Sequence, residues 1–291
     1  CHLAPGKSWK RSSTTLMRKI RLIALDLDGT LMGHDGSISE DNRRQLQRCI
    51  QNGIRVYAVT GRPYSFARMI ADRISEEMGV IAANGGICEI DGVRMERPID
   101  PEALSFVIDQ ADACGVSLFL KGKNDYYANV PYDARFLYDA MNPKFRKDLQ
   151  VVSHVDRSAK QLKEEAHDIL KILAFHEDAA IMQDYRRRIE AADLVTVTDY
   201  RPISFDITAK GVDKGSALLT VCARLHIPQE QVMACGDANN DRAMFDAAGL
   251  TIAMSIAEPD VQRRCDHVVD NQDGCGVARA IRAYVHSDAE G

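Results

Sequence analysis

Two acids, Asp26 and Asp28, end an apolar run in LIALDLDGTL, residues 22–31. Residues two apart on a strand point to the same side, so a buried strand over Leu22 to Leu27 puts both carboxylates near its carboxyl end. Two desolvated carboxylates at that spacing repel each other, which suggests a cation, a shared proton, or both. Other reactive groups also follow apolar runs: Thr60, Gly61 and Arg62 after VYAV, and Asp237, Asn240 and Asp241 in CGDANND. Lys214 stands where a helix is expected to begin, beside amides that favour anions.

Three acids converging on one point call for a hard cation, and carboxylate oxygens with water make a Mg²⁺ site. A lysine and a hydroxyl beside it form a setting for a phosphate group. One acid could attack phosphorus and form an aspartyl phosphate, dividing one hard displacement into two easier ones. The second, two residues on, could protonate the leaving oxygen and later deprotonate water. Thr60, backbone amides and Lys214 would offset charge on the equatorial oxygens.

These residues need elements to position them. Ser39 starts a helix with Leu46, Cys49 and Ile50 on its apolar face and Gly53 as its stop. IRVYAVTGR reads as a strand, SFARMIADRISEEMG as a helix buried through Phe66, Met69, Ile70 and Ile74, and VIAANGG as a short buried strand. Alternation of this kind predicts an α/β fold with a doubly wound parallel sheet. The pattern changes after Gly86, where ICEIDGVRME suits a hairpin turning at Asp91-Gly92 and is expected to open a second domain of α+β type. From Lys214 the alternation resumes through QVMACGD, LTIAM and HVVD to a last helix, GVARAIRAYV. The expected division is an extension over 1–18, disordered, then core over 19–87, an inserted α+β cap over 88–204, and core again over 205–291.

LDLDGTL, VTGRP, VDKGSAL and GDANNDRAMF, in this order, resemble the four motifs of the haloacid dehalogenase superfamily of phosphatases. AANGG, the insert and AMSIAEPDV resemble its Cof-type branch, subfamily IIB. The match runs from about Met17 to the last helix. It implies a Rossmann-like core with Asp26 as nucleophile and Asp28 as general acid and base. The Mg²⁺ ligands it implies are Asp26, Asp237 and the Asp28 carbonyl. Phosphate would be held by Thr60, Lys214 and Asn240, with Asp241 supporting the metal site or the lysine. Gly61, beside Thr60, is expected to contact phosphate too, and Arg62 either contacts the substrate or makes a structural pair. Two departures bear on substrate preference: Ser255-Ile256-Ala257 stands where relatives often have Gly-Asn-Ala, and Arg242 stands where a small or apolar residue is common.

The bulk properties agree. The 291 residues carry a net charge of -5, 45% hydrophobic and 27% charged residues, which speaks against a chain-wide basic surface for nucleic acid. No apolar run reaches the ~20 residues that span a bilayer. The eight cysteines lack any Cys-x-x-Cys pair and read as reduced, partly buried thiols of a cytoplasmic protein. Lys210, four residues before Lys214, is a competing cation; Arg186 to Arg188 read as a solvated helix face, and Tyr126, Tyr127, Tyr132, Phe136 and Tyr138 as cap core.

The expected activity is therefore Mg²⁺-dependent hydrolysis of a small phosphorylated metabolite, a sugar phosphate. The expected protein is a monomer or homodimer without nucleic-acid or membrane partners. A phosphomutase resembling the phosphomannomutases and a non-catalytic binder of phosphometabolites are the alternatives.

Overall fold

The computed structural model describes residues 19–33, 35–131 and 141–285. Its first apolar run forms β1 (Leu22–Leu25), buried at every residue, as suits a strand covered on both faces. Ser39 caps α1 (Glu40–Gln51) by accepting the Asn42 amide, and β2 (Arg55–Val59) pairs parallel to β1 with Ala58 opposite Leu25. Helix α2 (Tyr64–Asp72) leads to β3 (Gly79–Ala82), again parallel. The buried face of α2 centres on Ala67, Ile70 and Ala71, with Phe66 and Met69 only partly covered. Arg68 shares the buried face because its guanidinium is satisfied by Asp72 and by the carbonyls of Ser75 and Met78.

Strands β4 (Ile87–Ile90) and β5 (Val93–Glu96) make the expected hairpin, turning at Asp91 and Gly92, both with positive φ. The hairpin does not open the second domain as expected at residue 88. Instead β4 pairs antiparallel to β3 and widens the core sheet, because Ile87, Cys88 and Ile90 belong to the same apolar layers as the parallel strands.

The insert follows. Asp100 caps α3 (Pro101–Cys114), which Gly115 ends in a left-handed conformation. Next come β6 (Ser117–Lys121), β7 (Asp125–Ala128), β8 (Val152–His154), α4 (Ala159–Glu165), β9 (Lys171–Phe175), α5 (Ala179–Ala192), β10 (Val195–Arg201) and β11 (Ser204–Ala209). They form a second, six-stranded sheet in the order β10-β11-β9-β6-β7-β8, antiparallel except for β7 with β8. One face is buried under α3, α4 and α5. Strand β11 corrects the second boundary: residues from 205 were expected in the core, yet Phe205 and Ile207 are buried in the cap. Strand β8 and helix α4 went unforeseen in a polar stretch, although Ser158 and Gln161 make a capping box there.

The chain returns through α6 (Lys214–Leu225), β12 (Val232–Gly236), α7 (Arg242–Asp246), β13 (Leu250–Met254), α8 (Pro259–Gln262), β14 (His267–Val269) and α9 (Gly276–Tyr284). The core sheet reads β14-β13-β12-β1-β2-β3-β4-β5 and is parallel from β14 to β3. Ile23 and Leu25 face α1, α2 and α9, while Leu22 and Ala24 face α6 and α7. Both layers are buried, which anchors the strand ends that carry the site.

Among the described residues no helix is long and apolar enough to cross a membrane, and no disulfide joins the cysteines. Tyr126 and Tyr127 are buried in the cap. The expectations for residues 1–18 and for Tyr132, Phe136 and Tyr138 lie outside the described residues.

Candidate active site

Parallel strands deliver their carboxyl ends to one edge of a sheet, and the reactive residues gather at that edge here. Asp26 follows β1 directly, its amide donating to the Cys235 carbonyl at 2.9 Å, and its side chain is buried. The chain then turns sharply at Gly29, whose φ is +81°. A Cβ there would lie 2.5 Å from Asp237 Oδ2, so both the turn and the approach of Asp237 require glycine. Thr30 Oγ1 donates to Asp237 Oδ1 at 2.8 Å, and Asn271 Nδ2 donates to the Gly29 carbonyl at 2.9 Å, fastening the turn.

Lys214 enters from α6. Gly215 allows this helix to touch α7, since a Cβ there would stand 2.1 Å from the Ala243 carbonyl oxygen. Lys214 Nζ, buried, donates to Asp26 Oδ1 and to Asp241 Oδ1, each at 2.6 Å. Asp241 Oδ2 accepts the amides of Asp237 and Ala238 at 3.0 Å, which folds the GDANND loop around it. Lys210, the competing lysine, is exposed and pairs instead with Asp193.

Burial is the largest influence on Asp26 and pushes its carboxyl well above the usual aspartate range. Lys214 opposes this, but Asp241 and Asp237 add to it. Burial, with Asp241 behind it, also raises Asp237 to about 6, although the Thr30 hydroxyl works the other way. For Lys214, burial favours loss of the proton, yet Asp241 and Asp26 outweigh it and hold the ammonium above its ordinary value. One lysine thus leaves an excess of negative charge.

Carboxylate oxygens of Asp26, Asp237 and Asp241 all lie within 4.8 Å of one another, a donor set that fits a hard divalent cation. Both oxygens of Asp241 are already engaged, by Lys214 and by two amides, which suits support rather than ligation. The Asp28 carbonyl accepts no backbone hydrogen bond among the described residues and stays available as a ligand with Asp26 and Asp237.

Thr60, Gly61 and Arg62 follow β2, the neighbour of β1. Thr60 is buried, and its Oγ1 accepts the Arg62 amide at 3.1 Å, which leaves its own O–H to donate. Arg62 binds Asp28 through both carboxylate oxygens, and the Asp28 side chain is not one of the three clustered acids, although its charge acts on Asp237. Asn240 Oδ1 is buried without a hydrogen-bond partner among the described residues.

Several contributors escaped the sequence reading. Asn84, in the AANGG segment, takes a left-handed φ of 51° beside Ala83 at 52°. Its amide donates to the Thr60 carbonyl, bracing the loop from Thr60 to Arg62, and such a pair of strained residues is a mark of a functional turn. Lys171 and Asp206 form a buried ion pair next to Asn84. A charged residue inside ILKILAF and another inside ISFDI were the available signals.

Residues 23–281 match the model of the haloacid dehalogenase-like hydrolases. The chain belongs to this family. The phosphatase YwpJ of Bacillus subtilis (strain 168) is 28% identical to this hydrolase over 90% of the chain and 99% of its own. A phosphoglycolate phosphatase of Methanopyrus kandleri is 29% identical over 90% of the chain and 95% of its own. The structure of a haloacid dehalogenase subclass IIB sugar phosphatase superposes with a TM-score of 0.74 at 20% identity, covering 91% of this chain and 98% of that one. At that identity the likeness is one of fold, and it extends to the inserted cap.

Proposed function

We propose that this phosphate-monoester hydrolase is a Mg²⁺-dependent, cytoplasmic phosphatase of small phosphorylated metabolites, sugar phosphates among them, working through an aspartyl phosphate on Asp26. The observation that carries the reading is Lys214 buried between Asp26 and Asp241 at the carboxyl edge of the parallel sheet, with Asp237 beside them. A lone buried lysine against three acids has no stabilising advantage over an apolar packing, so the cluster is better explained by chemistry than by folding.

In this reading Asp26 Oδ attacks phosphorus as the bond from phosphorus to the leaving oxygen breaks, and Asp28 gives that oxygen its proton. Asp28 then takes a proton from water, whose oxygen attacks phosphorus, and the bond to Asp26 breaks to release inorganic phosphate. The Thr60 hydroxyl, the Gly61 amide, the Asn240 side chain and Lys214 hold the phosphoryl oxygens, while Asp241 keeps Lys214 in place. Mg²⁺ held by Asp26, Asp237 and the Asp28 carbonyl would supply the positive charge that lets an anionic nucleophile meet an anionic ester.

The test is phosphate release from a panel of sugar phosphates, nucleotides and other monoesters, with Mg²⁺, with EDTA, and with Asp26→Asn. Turnover requiring both the metal and Asp26 is expected. Turnover that survives either change overturns the mechanism, and transfer back to sugar when a bisphosphate is supplied would make the protein a mutase.

A further inference from the structure

The open face of the cap sheet carries charge where apolar side chains would be cheaper. Lys121 on β6 stands directly opposite Lys171 on β9, and Lys171 opposite Thr208 on β11, so the three share one face. Asp206 lies two residues from Thr208 on that face and pairs with Lys171. Asp206 Oδ2 also accepts Asn84 Nδ2 from the core at 2.9 Å. A Cβ on Gly61 would come within 3.3 Å of Lys171 Nζ, which sets this end of the cap sheet immediately over the phosphate-side loop.

The charges there do not balance. Lys171 is matched by Asp206, and Arg62 by Asp28. The Lys121 ammonium makes no hydrogen bond or ion pair among the described residues, although the charges of Lys171, Asp206 and Arg62 act on it. We propose that Lys121 is the cap residue that selects substrate, holding a second anionic group, a carboxylate or a phosphate, on the alcohol released from the ester. Its neighbours on the same face, Phe119 on β6 and Leu173 on β9, give the intervening carbon chain an apolar surface. Burial, aided by Lys171, brings Lys121 down to about 7, and an anion beside it would hold its proton in place. This assignment rests on the phosphatase reading and narrows it to esters of acidic alcohols.

Three matched pairs of esters test it: 3-phosphoglycerate with glycerol 3-phosphate, 6-phosphogluconate with glucose 6-phosphate, and fructose 1,6-bisphosphate with fructose 6-phosphate. The first two probe a carboxylate and the third a phosphate. Lys121→Met is expected to lower kcat/KM at least about tenfold on the acidic member of the preferred pair, chiefly through KM, while the neutral member changes less than about twofold. Lys121→Arg should restore most of the loss. Equal losses on both members of every pair, or none, overturn the assignment. If the wild type shows no Asp26-dependent turnover, the phosphatase reading fails on its own. Calorimetric binding of the same esters to Asp26→Asn, with and without Lys121→Met, then decides Lys121 separately: a preference for the acidic member that Lys121→Met abolishes upholds it, and equal binding overturns it.

Discussion

Arg62 grips Asp28 through both carboxylate oxygens, with Nε 2.9 Å from Oδ2 and Nη2 2.8 Å from Oδ1. The guanidinium also stacks 4.8 Å above the Phe66 ring, which fixes its direction. The two side chains are 50% and 48% exposed, and an ion pair so open to water is worth only ~0–1 kcal/mol. It therefore holds Asp28 in place at little cost to open.

If Asp28 serves the leaving group, Asp28→Asn lowers kcat by about a hundredfold or more on alkyl phosphates and far less on p-nitrophenyl phosphate, whose leaving group needs no proton. Arg62→Lys, which keeps the charge but loses the two-pronged grip, is expected to fall between wild type and Asp28→Asn. Steady-state kinetics on both esters decides the matter. Equal losses on both would remove Asp28 from the leaving-group step.

Lys214 holds two buried carboxylates apart from water. Lys214→Met leaves Asp26 and Asp241 facing each other uncompensated, a change of a kind that costs ~3–5 kcal/mol. Asp26→Asn instead removes one of the crowded charges and is expected to leave thermal stability equal or higher without metal. Thermal unfolding of the two variants in EDTA should therefore diverge, and parallel losses would contradict this account.

Asp237 is raised from 3.8 to about 6, and Asp26 moves in the same direction. A carboxyl that binds its proton more tightly when folded contributes stability below its unfolded value, and the contribution is lost as pH rises through the folded value. The metal-free protein should thus lose stability between about pH 4 and about pH 6. Mg²⁺ competes with those protons, so its effect on Tm should be small near pH 4 and grow to several degrees near pH 7.5. A Mg²⁺ response independent of pH would remove Asp26 and Asp237 from the metal site.

Gly29→Ala adds a Cβ at a φ of +81° and 2.5 Å from Asp237 Oδ2. The expected result is a destabilisation of ~1–3 kcal/mol together with a higher Mg²⁺ requirement for activity, because Asp237 must move. Thermal unfolding and a Mg²⁺ titration of the variant measure the two effects, and an unchanged Mg²⁺ titration would sink the second.

Much of this molecule was legible in the chain itself. Apolar runs such as LIALDLD and QVMACGD announced buried parallel strands, and the reactive groups stood at their carboxyl ends, where such sheets hold ligands. Asp91-Gly92 marked the hairpin and Ser39 the start of α1, because turns and caps depend on neighbouring residues alone. The sheet each strand joined was not local information: β4 and β5 widened the core and β11 closed the cap, according to which apolar layer could bury Ile87, Ile90, Phe205 and Ile207. Lys210 competed with Lys214 by residue type, and the turn between them placed Lys214 at the start of α6 in the site and Lys210 in water against Asp193. Lys214 meets Asp26 across 188 residues of chain, and Asn84 meets Asp206 across 122. Residue type and spacing determined what chemistry was available, since these act over a turn or a strand. Tertiary packing decided which charges were buried together and which, like the Lys121 ammonium among the described residues, were left unmatched, because electrostatic balance depends on distance in space rather than along the chain.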